Sequence, residues 1–177
     1  MDAIPEILAP AGNLESLKAA VSNGADAVYL GGKLFNARQE ALNFNDQELE
    51  KAINYAHLRG VKIYVTVNVI IADEELQTAA LYLNNLYNAG ADAIIVQDLG
   101  LMRMAHMLLP NLAVHASTQM TITNAAGIRF LEQYGVKRVV LARELSLEDI
   151  RRIRRQTCSE LEVFVHGALC FSYSGQC

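Results

Sequence analysis

Two cysteines, Cys170 and Cys177, follow one another with Gly175 between them, just past the apolar run Leu161, Val163, Val165 that breaks at Gly167. Two thiols leaving one strand end on a turn suit a metal ion or an iron–sulfur cluster better than a core, where thiols would be scattered at packing positions. A second set of polar residues interrupts runs that should otherwise continue apolar: Asn68 after VTV, Gln97 and Asp98 after AIIV, His115 with Ser117, Thr118 and Gln119, and Arg143 with Glu144. Arg38 and Asn43 sit in the long stretch KLFNARQEALNF. Histidine, carboxylate and guanidinium groups in this arrangement could bind an anion, move protons or hold a divalent ion. Asp98 and Asn68 have a simpler use as helix caps, Arg143 and Glu144 could pair with each other, and His57 and His106 lie inside helical patterns as surface or packing residues.

The elements that must position these groups repeat. Four segments, NGADAVYLGG from Asn23, RGVKIYVTVN from Arg59, AGADAIIVQD from Ala89 and YGVKRVVLARE from Tyr134, each place a glycine and a short polar step before a β-rich run. Gly24, Gly60, Gly90 and Gly135 fall where a helix needs a left-handed C-cap. Between them lie helical patterns with start signals: Leu14, Leu17 and Val21 after Asn13; Leu49 to Ala56 after Asn45 and Asp46; Leu76 to Tyr87 after Asp73; and further helices over Leu99 to Leu109, Ala125 to Tyr134 and Leu147 to Arg155, the last opened by Ser146 with Asp149 as a capping box. Adding strands over Ile4 to Ala9, Leu112 to Ala116 and Leu161 to His166 makes seven, all expected to be parallel and apolar on both faces. The alternation predicts an α/β fold, a (β/α)8 TIM-barrel-like domain over 1–177 with about seven βα units, incomplete on its C-terminal side. An open doubly wound sheet is disfavoured, because no G-x-G-x-x-G turn follows the first strand. In such a barrel the strand C-terminal ends carry the chemistry, which is where the polar residues fall.

With 177 residues, 52% hydrophobic and 19% charged, the chain has the composition of a globular domain with a sizeable core. No apolar run spans a bilayer and no signal peptide opens the sequence, so a cytoplasmic location without membrane partners is expected. Three cysteines, all within Cys158 to Cys177, do not form a disulfide framework. The net charge is −4, yet Arg129 to Arg155 holds eight basic residues against four acidic ones. RRIRR reads first as the solvated side of a helix whose Ile150 and Ile153 point inward, and second as a polyanion-binding patch. Lys33, after Gly31 and Gly32, is a weak Schiff-base or phosphate-binding candidate. Unclosed barrel edges would invite association into an oligomer.

Glu162, Phe164, Gly167, Ala168, Leu169, Cys170, Gly175 and Cys177 resemble, in type and spacing, the defining motif of the collagenase-like unassigned-peptidase family thirty-two. LAPAG from Leu8, the DAVYLGG step with FNAR, VTVN, Gln97–Asp98, HASTQM from His115 and LARELSL from Leu141 extend the resemblance over most of the chain. The resemblance implies a barrel-like catalytic domain and a four-cysteine 4Fe-4S cluster serving oxygen-independent hydroxylation of bases in RNA (rRNA or tRNA), or of a quinone precursor, with prephenate as a small anionic co-substrate. By matching position Cys170 and Cys177 are its first two cluster ligands; with the other two absent, the chain as it stands is not expected to assemble the cluster. Arg143, Arg38 and His115 are then candidates for binding the anion or stabilising charge, and Glu144, Asn68 and Asp98 stand with them as candidate catalytic residues at the strand ends. Two other readings stay open. A thiol peptidase would use Cys170 with His166 or His115 as its base. A metal-dependent hydrolase would gather His115, His166, Asp98 and Glu144 around one ion.

Overall fold

The computed structural model describes residues 4–38, 42–167 and 170–176. Strands and helices alternate throughout: β1 Leu8–Ala11, α1 Leu14–Ser22, β2 Ala27–Gly31, α2 Asp46–His57, β3 Lys62–Val67, α3 Leu76–Ala89, β4 Ala93–Val96, α4 Leu99–Leu108, β5 Ala113–Ala116, α5 Ala125–Glu132, β6 Arg138–Val140, α6 Leu147–Arg154 and β7 Glu160–Glu162. The strands form one parallel sheet in chain order, β1 to β7. Glu6, just before β1, bonds to Arg138 of β6 at 2.6 Å and to Tyr64 of β3 at 2.8 Å. A flat sheet would hold β1 and β6 roughly 24 Å apart, five strand spacings. The sheet is therefore curled into an incomplete TIM-like barrel, with β1 and β7 as its two edges.

Local chemistry sets most of the boundaries. Asn13, Asn45, Asp98, Asn124 and Ser146 accept backbone N–H bonds at the helix starts, and Asn45 with Glu48 and Ser146 with Asp149 form capping boxes. The four repeat glycines adopt φ between 72° and 93°, as their C-cap positions require. α3 starts at Leu76, as its periodicity predicts, after a 3-10 turn over Asp73–Glu75 in which Glu75 accepts from the Ala72 N–H. Two strand boundaries differ from expectation. β1 begins at Leu8, not Ile4, since β2 starts opposite it at Ala27 and Ile4 projects into solvent. β7 ends at Glu162, not His166: the Leu141 N–H donates the last bond to Glu162, beyond which β6 turns away and Val163 to Val165 are left exposed.

Branched aliphatics do not fill both sides of the sheet. Val28, Ile63, Val65, Val67, Ile94, Val96, Val114 and Val139 pack outward against Leu17, Leu49, Leu83, Leu101 and Ile128 of the helices in the main core. The opposite face carries a separate cluster of Ala27, Tyr64, Ala93 and Ile95 with Leu8, Tyr29 and Ala113. Strand alternation puts Thr66, Gln97, His115, Arg138, Glu160 and Glu162 on this inner face too. The expectation of two apolar faces therefore holds only for the helix side.

The step Gly31–Gly32 after β2 has a packing reason. A Cβ on Gly31 would lie 2.0 Å from the Asn36 side-chain nitrogen, and one on Gly32 would lie 2.0 Å from the Tyr82 hydroxyl. Tyr82 is buried against Phe35 and cannot retreat into solvent. Gly32→Ala should cost about 1–3 kcal/mol, the usual penalty of overpacking; urea unfolding measures it, and a variant as stable as the parent would refute this account.

Candidate active site

The strand register arranges the inner-face residues in rows. Thr66, Ile95, His115, Arg138 and Glu160 are mutual partners across β3 to β7. One pleat nearer the C-terminal ends lie Gln97, Ser117 and, opposite Val140, Glu162. Arg138 organises the lower row. Its Nη1 donates to Glu6 Oε1 at 2.6 Å, its Nε and Nη2 donate to Glu160 Oε2 at 2.8 and 2.6 Å, and Glu162 is 3.7 Å away. Lys62 donates to the other Glu6 oxygen at 3.0 Å. Burial opposes the Glu6 charge, but bonds from Arg138, Lys62 and Tyr64 outweigh it and hold the carboxyl at about 2. Burial pushes the Glu162 carboxyl up, only partly opposed by Arg138.

His115 is 4% exposed and meets Tyr64 edge-on, ring centroids 4.8 Å apart. Burial first, then the positive charge of Arg138, pushes its ring down to about 3. His115 Nδ1, Gln97 Oε1 and Glu162 Oε2 are buried with no hydrogen-bond partner among the described residues. Such a group ordinarily costs about 1–3 kcal/mol. His115 should therefore stay neutral from pH 8 to pH 5. Its folded value lies below the ordinary 6.5, so the unfolded chain takes up the proton first and stability is lost as pH falls from 6.5 toward 3. Imidazole NMR shifts that titrate near 6.5 would contradict this.

The remaining expected site residues sit at the mouth in two groups. On the β2–β3 side, buried Asn36 donates to Asn43 Oδ1 at 2.7 Å and accepts from the Arg38 N–H at 3.2 Å, while Asn68 Oδ1 accepts from the Ala37 N–H at 3.1 Å. These bonds place Arg38 close enough to Tyr29 that its charge, and that of Glu162 across the barrel, act on the phenol, which burial pushes up. Asp98 caps α4, accepting from the Leu101 N–H at 2.7 Å and more weakly from the Ile71 N–H at 3.4 Å.

On the β5–β7 side the hub is Ser174, fully buried and absent from the sequence-derived set. Its N–H donates to Glu144 Oε1 at 2.8 Å, its hydroxyl accepts from the Arg143 N–H and Nε at 3.1 Å each, and its carbonyl accepts from the Thr121 hydroxyl. Arg143 and Glu144 thus both grip the cysteine-bearing segment. Gly175 follows at φ 77°, so close to the turn after β5 that a Cβ would lie 2.1 Å from the Gln119 carbonyl oxygen. Cys170 is exposed in this segment, while Cys177 lies outside the described residues. Cys158 precedes β7, its N–H donating to Glu132 at 2.9 Å, and so stands at the other end of the barrel.

Among the described residues no three of His, Cys, Asp and Glu gather where they could hold a metal ion. The expected set His115, His166, Asp98 and Glu144 is therefore not assembled: Asp98 caps a helix, Glu144 binds Ser174, His115 is buried against Tyr64, and His166 is exposed past β7. A 4Fe-4S cluster takes four thiolates, of which the described residues offer Cys170, exposed at the C-terminal end of the strands. Among the described residues no helix is long and apolar enough to cross a membrane.

Known proteins share this frame. The chain is 43% identical over 173 residues to tRNA hydroxylation protein P1 of Bacillus subtilis, covering 98% of this chain and 41% of that protein. It is 43% identical over 172 residues to the 23S rRNA 5-hydroxycytidine C2501 synthase of Escherichia coli, covering 97% of this chain and 26% of that one. It thus spans less than half the length of either relative. The solved structure of the U32 peptidase Mk0906 superposes with a TM-score of 0.75 at 15% identity, over 92% of this chain and 69% of that one, and shares the barrel fold. Residues 12–177 match peptidase family U32, and the chain belongs to that family.

Proposed function

We propose that this chain is the barrel portion of a protein that hydroxylates bases in tRNA or rRNA. The observation carrying the reading is the seating of the cysteine-bearing segment, through Ser174, on the C-terminal ends of β5 and β6 beside the polar inner face. Kinship with two proteins named for RNA hydroxylation supports it. Cys170 and Cys177 would supply two thiolates of a 4Fe-4S cluster, which when bound supplies electron-transfer chemistry at the barrel mouth. Arg143 and Glu144 position that segment through Ser174. Arg38, held by the Asn36 bonds, offers a cation at the opposite rim for an anionic co-substrate such as prephenate. A cytoplasmic location accords with an RNA substrate and reduced thiols.

The test is nucleoside mass spectrometry of tRNA and rRNA from cells lacking the gene and from cells supplied with the full-length protein or its Cys170→Ala variant. A hydroxylated nucleoside should vanish on deletion, return with the full-length protein and not with the variant. Unchanged modification after deletion would overturn the reading. The family name keeps a thiol peptidase as the second reading. It requires a base at Cys170, and His115, buried with its ring at about 3, is unfit to take a proton at neutral pH. Peptide cleavage lost in Cys170→Ala would favour the peptidase.

A further inference from the structure

We propose that the inner face of the barrel, where Gln97 of β4, His115 of β5 and Glu162 of β7 lie with Tyr29 of β2, receives a single unpaired nucleobase of an RNA strand. The inference rests on the RNA-hydroxylation reading and names the pocket in which the substrate base would sit.

Three buried polar atoms, Gln97 Oε1, His115 Nδ1 and Glu162 Oε2, make no hydrogen bond among the described residues, with Arg138 3.7 Å from the last, and all three belong to inner-face positions of β4, β5 and β7. Buried polar groups are ordinarily paired, and an unpaired cluster on a concave face indicates a ligand that supplies the partners. Gln97 offers an acceptor and donors on one amide, and His115 as a neutral ring offers one of each. Glu162, whose carboxyl burial pushes up, adds acceptor oxygens to the same face. Mixed donors and acceptors on one concave face match the edge of a base, which alternates the same two functions, better than they match a phosphate or carboxylate. An anion would also find the positive charge in use, because Arg138 is already bonded to Glu6 and Glu160. Tyr29 belongs to the same inner face and supplies an aromatic plane for stacking. Gln97, Glu162 and Tyr29 are only half-buried, so the face opens toward the mouth, as entry of a base turned out of its stack requires.

The discriminating variant is Gln97→Met in the full-length protein, a substitution that keeps the side-chain length and removes the amide whose buried oxygen makes no hydrogen bond among the described residues. Binding of cytidine, uridine and ribose 5-phosphate is followed by saturation-transfer NMR, with the melting temperature measured in parallel. One of the nucleosides should bind through its base protons and ribose 5-phosphate should not. Gln97→Met should weaken that binding by about tenfold or more while leaving the melting temperature unchanged or higher, which a structural role for Gln97 would not allow. Base binding equal to the parent's, competition by ribose 5-phosphate, or no nucleoside binding at millimolar concentration would each overturn the inference. If deletion of the gene abolishes a hydroxylated nucleoside but Gln97→Met restores it fully, the pocket is wrong and the hydroxylase reading stands. If deletion changes nothing, the hydroxylase reading falls, and nucleoside binding alone decides the pocket.

Discussion

Replacing Arg138 with methionine should lower the stability of this chain by about 3–5 kcal/mol, the loss typical when one partner of a buried ion pair is removed. Methionine keeps the apolar stem, so the loss isolates the guanidinium. That group is 11% exposed and neutralises Glu6 and Glu160 together, with Glu162 3.7 Å away. Without it, the carboxyl groups of Glu6, Glu160 and Glu162 face one another on the concave side of the sheet, with Lys62 left on Glu6. Arg138→Lys should recover part of the loss at most, because one ammonium cannot reproduce the fork that reaches Glu6 and Glu160 at once. The effect has a pH signature. Glu6 is held at about 2 against its ordinary 4.5, so its contribution is present above 4.5 and is lost as pH falls from there toward 2. The gap between parent and variant should therefore be widest near neutrality and close on acidification. Thermal melts between pH 7 and pH 2 measure it, with a neutral-pH shift of roughly 10 °C expected. A gap below about 1 kcal/mol, or one that does not change with pH, would mean that the network is not a stabilising unit.

Gly175→Ala should release the cysteine-bearing segment without unfolding the barrel. The residue sits at φ 77°, and a methyl there would lie 2.1 Å from the Gln119 carbonyl oxygen and 2.6 Å from the Thr121 hydroxyl. The backbone oxygen cannot give way without disturbing the 3-10 turn Thr118–Met120 after β5. The segment must lift instead, and the Ser174 bonds to Glu144, Arg143 and Thr121 go with it. A strained φ and a displaced loop cost about 1–3 kcal/mol, equivalent to roughly 5- to 150-fold faster hydrogen exchange at the Ser174 amide. The melting temperature should scarcely move, because the helix-facing core has no member in residues 170–176. On the proposed function the same variant should retain less iron in the full-length protein. A Ser174 amide as protected as in the parent would show that Gly175 is not the seat of the segment.

Much of the architecture was legible in the amino-acid order. Asn13, Asn45 and Ser146 announced helix starts, four glycines announced helix ends, and the repeated unit gave the parallel order of the strands. These features depend on residues three or four positions apart, which a chain satisfies wherever it folds. The strand limits were less legible: Val163 to Val165 have strand composition, but pairing requires a neighbour and β6 has already turned away. For Asp98 the sequence left a helix cap and a place in the mouth both open, and the structure shows the cap on α4.

The sequence by itself determined the element order, the barrel frame, the family and the end of the sheet at which Cys170 lies, because each follows from local pattern or contiguous motif. Only the tertiary structure decided that Glu6 meets Arg138 across 132 positions, that Ser174 fastens the thiol segment to Arg143 and Glu144, and that Gln97, His115 and Glu162 share one concave face. Those meetings depend on how far the sheet curls and which pleat of one strand lies beside which pleat of the next. Both are fixed by the packing of helices and strands together, which no short stretch of chain contains.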